Sequence, residues 1–232
     1  KNTASGIELK LINGGSFTMG ADDYEAEDTE KPPHLVTITQ PYYIGIYEVT
    51  KTQWRAVMGG DRGNAPVTNV SWEKIAGTNG FIRKLNADAG TIVIGGTIYE
   101  YALPSEAQWE FAARGGMADA YSWGSAQPGA FAWYAVNAAL NTHTTGLKWP
   151  NGYGLFDTSG NAAEWVYDCY VEYESDSASD PLSSADCVKD RIVRGGSYED
   201  AVDGLRVTRR VLRPKTYSDG TIGFRLALTP KR

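Results

Sequence analysis

The sequence is poor in the residues that thiol and metal chemistry depend on. Its 232 residues include two cysteines and two histidines. His34 and His143 stand far apart, and no Cys/His spacing of a zinc site is present. Cys169 and Cys187 form one disulfide if the protein is exported, or stay two thiols if it is cytosolic. Basic residues are the minority: 22 Lys and Arg against 28 Asp and Glu give a net charge of −6. Gripping a phosphate backbone takes a stripe of Lys and Arg, so no nucleic-acid partner is expected. One basic cluster, Arg206, Arg209, Arg210, Arg213 and Lys215, has Asp200, Asp203 and Asp219 around it and does not change that. No apolar run approaches the roughly 20 residues of a membrane-spanning helix, so no transmembrane segment is expected in this chain. The chain begins Lys1-Asn2-Thr3 and carries no targeting signal, which says little about secretion. Nucleophile elbow, phosphate loop and metal-binding His pair are all missing.

What is present is glycine, aromatics and apolar residues. There are 26 Gly and 10 Pro, with 7 Trp and 14 Tyr, and 42% of the chain is hydrophobic. That supports a sizeable core wrapped in irregular backbone, an α+β chain forming a single domain over 1–232. Thr50-x-x-Gln53 and Ser105-x-x-Gln108 read as capping boxes. They predict helices ending at Gly59 and Gly115. A third helix over 71–86 is interrupted by Gly77-Thr78-Asn79-Gly80, where a break is expected. Residues 35–39 and 42–49 read as strands, and 91–101 as a hairpin turning at Gly95-Gly96. Residues 175–184 read as an exposed loop, and the acidic run from Asp22 to Glu30 as a solvated one. His143, without an evident partner, is expected on a solvent-exposed loop.

Ordered blocks run along most of the chain. Gly14-Gly15-Ser16-Phe17-Thr18-Met19-Gly20 comes first, then Glu30, Pro32, His34 and Val36. Glu48-Val49-Thr50, Gln53-Trp54 and Val70-Ser71-Trp72 follow. The most specific block is Leu103-Pro104-Ser105-Glu106-Ala107, running on through Trp109-Glu110-Phe111-Ala112-Ala113-Arg114-Gly115. Pro150 to Asp157, Gly160-Asn161-Ala162, Glu164-Trp165, Arg194-Gly195-Gly196-Ser197 and Gly223-Phe224-Arg225 complete the set. With these blocks the chain resembles the formylglycine-generating, or sulfatase-modifying factor, family. The resemblance implies a C-type-lectin-like fold with few short helices and strands. Read physically, Trp54, Trp72, Trp109 and Trp165 are core candidates and His34 a scaffold group. Arg114, Arg194 and Arg225 are expected to bridge carbonyls or carboxylates.

In the family, chemistry depends on two cysteines after the Gly-Gly-Ser block, whose thiols bind copper. The matching positions here are Asp200 and Leu205, which cannot act as thiolate ligands. No copper and no catalytic residue are therefore expected, and the chain reads as a non-enzyme. The alternatives are an oxidoreductase of the same family with altered chemistry and an accessory structural domain. The resemblance also implies a structural calcium held by Asp157, Gly160, Ala162 and Glu164.

Residues 198–222 lie between two scaffold blocks and follow neither a helical nor an alternating period. Such a mixture suits a binding face where Tyr and Arg anchor and small polar residues adapt. The candidates are Tyr198, Asp200, Val202, Asp203, Leu205, Thr208, Arg209, Val211, Leu212, Thr216, Tyr217, Ser218, Asp219 and Thr221. Arg206, Arg210 and Pro214 fit fixed scaffold. This arrangement resembles the variable proteins of diversity-generating retroelements, such as those of Treponema. There, adenines of asparagine-type codons are randomised, which cannot yield Glu, Lys, Gln, Met or Trp. In 198–222 only Glu199 and Lys215 fall outside the reachable set. The resemblance implies an exported, cell-surface protein binding an unknown macromolecular or cell-surface ligand.

Overall fold

The computed structural model describes residues 6–183 and 190–231. Local signals set the helices. In α1 (Lys51–Met58) the Thr50 hydroxyl accepts from the Gln53 N–H, and the Gln53 side chain accepts from the Thr50 N–H. The expected 71–86 helix is two helices, α2 (Trp72–Ala76) and α3 (Phe81–Ala89). The break needs glycine: a Cβ at Gly77 would stand 2.4 Å from the Glu73 carbonyl oxygen. α4 (Glu106–Arg114) has the second capping box at Ser105, and Gly115 ends it in the left-handed region. Every residue of α4 is buried, its two glutamates included.

The strands in chain order are β1 (Leu9–Ile12), β2 (Gly15–Met19), β3 (His34–Ile38) and β4 (Tyr42–Gly45), then β5 (Ile92–Ile94), β6 (Thr97–Ala102), β7 (Ala163–Cys169) and β8 (Ala178–Ser179). β9 (Arg191–Arg194), β10 (Val211–Arg213), β11 (Ile222–Gly223) and β12 (Ala227–Pro230) follow. β5 and β6 form the expected hairpin across Gly95 and Gly96, both at positive φ. β4 ends at Gly45 rather than running to Val49. Beyond it the chain turns Glu48 inward, to hydrogen-bond Asn161 and Ala162.

The strands form three sheets, ordered β1-β4-β12-β6-β5, β10-β9-β7-β11 and β2-β3-β8. The largest core cluster joins the five-stranded sheet to α1, α2 and α3. At its centre Trp54 stacks on Phe81 at 5.2 Å, and Phe224 meets both edge-on. Trp72, Trp109 and Trp165 are buried as expected, and Trp54 is half-buried against that cluster. Cys169 is buried on β7 and disulfide-bonded. The other cysteine of the chain, Cys187, lies outside the described residues, as does Ser184 at the end of the expected 175–184 loop.

Candidate functional site

The 198–222 segment rests on a buried lattice of arginines and carboxylates. Glu110 of α4 holds Arg114 at 2.8 Å and also pairs with Arg194 of β9. Arg194 then donates to the carbonyls of Val207, Thr208 and Arg209 at 3.0, 2.6 and 2.7 Å. One guanidinium thus fixes the path of three successive residues. Glu106 takes both forks of Arg210, at 2.7 and 2.9 Å. Burial disfavours the Arg210 charge, but Glu106 together with Tyr173 and Tyr170 outweighs it and raises the pKa above the ordinary arginine value. Glu30 accepts from Arg206 and from the Thr208 hydroxyl, each at 2.6 Å. This corrects the reading of 22–30 as a solvated loop: Glu30 is fully buried, and Glu27 pairs with Arg209 at 2.7 Å. Lys215 makes only a surface pair with Glu73 of α2, whereas Arg206 and Arg210 are scaffold. Charges so far out of water hold their places only with full partners, which pins the segment in one register.

That lattice divides the fourteen candidate residues. Tyr198, Leu205 and Thr208 are buried, which takes them off the surface. Leu205 is wholly enclosed beside Trp123 and Ala132, so it is a core residue and not a contact residue. Asp200 is half-buried and turned inward, accepting from the Ser197 N–H at 2.8 Å and hydroxyl at 2.7 Å. Val202, Asp203, Thr216, Tyr217 and Ser218 are exposed. Asp219 gathers the Tyr217 hydroxyl, the Thr221 N–H and the Thr221 hydroxyl. Burial would raise its pKa, but the bonds from Thr221 and Tyr217, with Arg213 nearby, hold it below the usual carboxylate range.

β10 alternates as a strand must. Leu212 packs inward with Trp109 and Val166, while Val211 and Arg213 face a cleft. The cleft has a volume of about 260 Å³ and crosses the four-stranded sheet. Ala163, Val193, Gly195 and Gly196 floor it. Arg209, Val211 and Arg213 form one wall, Asp219 and Thr221 the other, with Glu199 and Asp200 also lining it. Of the charged lining residues, Glu199 and Arg213 are not among the fourteen candidates, although Arg213 belongs to the basic cluster of the sequence. Arg209-x-Val211-x-Arg213 is an alternation that marks Arg213, but it is too short to stand out.

The 157–164 turn is organised by protein groups. Glu164 gives one oxygen to Arg225 at 2.6 Å and the other to the Trp109 indole at 2.6 Å and to Arg225 Nε at 2.7 Å. Asp157 accepts from the Gly146 N–H through Oδ2, and its buried Oδ1 has no hydrogen-bond partner. Burial pushes its pKa up to about 6. Glu48, buried beside the Asp157 and Glu164 charges, is raised well above the usual range, against the pull of Arg225. Of the residues expected around calcium, Asp157, Gly160, Ala162 and Glu164, Glu164 is already neutralised by Arg225, while the buried Oδ1 of Asp157 is left without a partner. Among the described residues no group of three His, Cys, Asp or Glu is placed to hold a metal. His143 is half-buried and pinned: its ring stacks on Trp133 at 3.8 Å, and Nε2 lies 2.9 Å from the Ala138 carbonyl. His34 is buried edge-on to Tyr173, a scaffold position.

Comparison with known proteins agrees with this architecture. Residues 1–230 match the family described as the sulfatase-modifying factor enzyme 1-like domain. The formylglycine-generating enzyme of Streptomyces coelicolor is 31% identical over 81% of this chain, which spans 60% of that protein's length. The bovine inactive C-alpha-formylglycine-generating enzyme 2 is 26% identical over 95% of this chain and 88% of its own. Among solved structures, Treponema denticola variable protein 1 superposes with a TM-score of 0.83 at 29% identity, over 96% of this chain and 95% of its own. The mixed α and β structure is thus a C-type-lectin-like fold of the formylglycine-generating type. No helix among the described residues is long and apolar enough to cross a membrane.

Proposed function

We propose, from the premise that this chain belongs to the sulfatase-modifying factor family, that it is a non-catalytic ligand-binding protein. Its 198–222 segment is the diversified face of a retroelement variable protein, exported and displayed at the cell surface to meet a macromolecular ligand. The observation that carries this reading is the division of the segment. Arg206, Thr208 and Arg210 are tied into the scaffold, while their neighbours Arg209, Val211 and Arg213 line an open cleft. Such a division lets side chains on the face change without disturbing what holds it. The likeness to the Treponema variable protein supports it. So does the codon logic: every residue of 198–222 except Glu199 and Lys215 can arise from randomised asparagine codons, and those two are expected to be fixed.

The non-enzyme reading rests on the positions that match the family's copper-binding thiols. One holds Leu205, sealed in the core, and the other Asp200, turned onto Ser197. Copper or iron retained by loaded protein, with thiol-dependent oxygen uptake, would sink it.

Sequencing the locus in many clones, with its flanking DNA, tests the diversification. The expected differences fall at 202, 203, 209, 211, 213, 216–219 and 221, map to adenines of a nearby near-copy, and spare 204–208 and 210. A uniform segment with no template copy overturns the reading.

A further inference from the structure

The cleft is lined by two arginines and three carboxylates, and three of these five charges are satisfied from within. Arg209 is paired with Glu27, Asp200 is capped by Ser197, and both oxygens of Asp219 are taken by Tyr217 and Thr221. Arg213 differs. It donates to the carbonyl of its neighbour Leu212 at 2.9 Å and lies beside the Tyr217 ring, 5.2 Å from its centroid. It also engages the Tyr217 hydroxyl and helps hold the Asp219 charge across the cleft, but among the described residues it makes no direct ion pair. A guanidinium offers five N–H donors in a rigid fork, and Arg213 lines the cleft with donors left beyond the one it gives to Leu212. On the same wall the buried Nε of Arg209 has no partner either.

We propose that this cleft receives an acidic side chain of a protein partner, its carboxylate bound by Arg213 with Arg209 beside it. The proposal rests on the reading of 198–222 as a ligand face and names the chemistry that face selects in this clone. Val211, between the two arginines, offers an apolar contact for the methylenes of a Glu or Asp. The carboxylate matches the arginine fork in two parallel hydrogen bonds. A phosphate would match the fork equally. Glu199, Asp200 and Asp219 also line this cleft, however, and their field opposes a dianion more than a monoanion.

The test uses the whole protein labelled with nitrogen isotope at arginine and follows the side-chain Nε–H resonances. The probes are N-acetylglutamate and N-acetylglutamine, each blocked at its α-carboxyl as the N-methylamide so that the first is a side-chain monoanion and the second its neutral isostere, and inorganic phosphate. N-acetylglutamate is expected to shift the Arg213 resonance saturably while N-acetylglutamine leaves it in place. Arg213→Gln is expected to weaken N-acetylglutamate binding about tenfold or more, the scale of one charge-assisted hydrogen-bonded pair. An equal response to the two isosteres, no saturable shift, or tighter binding of phosphate than of N-acetylglutamate overturns the proposal. The isostere comparison needs no variant, so a poorly folding Arg213→Gln does not blunt it. A uniform locus with N-acetylglutamate still bound at Arg213 would sink the diversification alone.

Discussion

Residues 204–210 and 211–221 are neighbours in one segment but are held by different means. The first stretch is buried apart from Arg209 and clamped by Glu30, Glu106 and Arg194. The second, past the short strand β10, is mostly open, with Lys215 tied to Glu73 and Asp219 closing a local turn. The contrast shows how a stable protein can present a changeable surface. Rigidity is concentrated in a few deep ion pairs immediately beside the positions proposed to vary, so a substitution on the open rim leaves those pairs in place.

The sharpest way to break this contrast is to remove a clamp. Glu30→Ala leaves Arg206 buried without its carboxylate and strips the Thr208 hydroxyl of its acceptor. A loss of about 3–5 kcal/mol is expected in denaturant unfolding. A loss under about 1 kcal/mol would mean the clamp does not hold the segment. Next comes Leu205→Ala, which empties a sealed site beside Trp123 and should cost about 2–5 kcal/mol.

A third prediction concerns pH and the 157–164 turn. The Asp157 pKa is raised from 3.8 to about 6 by burial. A carboxyl that holds its proton more tightly when folded stabilises the fold fully below the unfolded value. That contribution is lost as pH climbs through the folded value, to the extent of about 3 kcal/mol. Asp157→Asn keeps an acceptor for the Gly146 N–H and cannot ionise. It should lessen the fall in stability between these two pKa values by one group's share, the rest coming from Asp168 and Glu48, which burial also raises, and leave the variant at least as stable as the parent at neutral pH. A variant that keeps the parent's slope would place the titrating group elsewhere.

The smallest effect belongs to the rim. Tyr217→Ala removes an exposed side chain and should change stability by no more than about 0.5 kcal/mol, read in the same unfolding experiment as Leu205→Ala. Equal losses for the two would erase the distinction between the buried and open stretches.

Much of the frame was legible from the chain alone. The capping boxes at Thr50 and Ser105, the break at Gly77 and the turn at Gly95-Gly96 are written within a few residues, because each depends on local hydrogen bonds or one glycine's backbone freedom. The bridging roles of Arg194 and Arg225 were readable too, since a guanidinium flanked by core blocks has to find acceptors. The site was legible as a segment but not residue by residue. Leu205, Thr208 and Tyr198 carry the composition of a binding face and yet are buried, while Arg213 and Glu199 line the cleft.

Sequence by itself therefore determined the helices, the hairpin and the core tryptophans, set by short-range spacing and apolar character. Only the tertiary structure decided which side of each residue in 198–222 faces out. The groups that decide it, Glu30 and Glu106, lie 176 and 104 residues from their arginines, Arg206 and Arg210. No local period encodes such a pairing, because the free energy that fixes it exists only once the chain has folded and those charges have left water together.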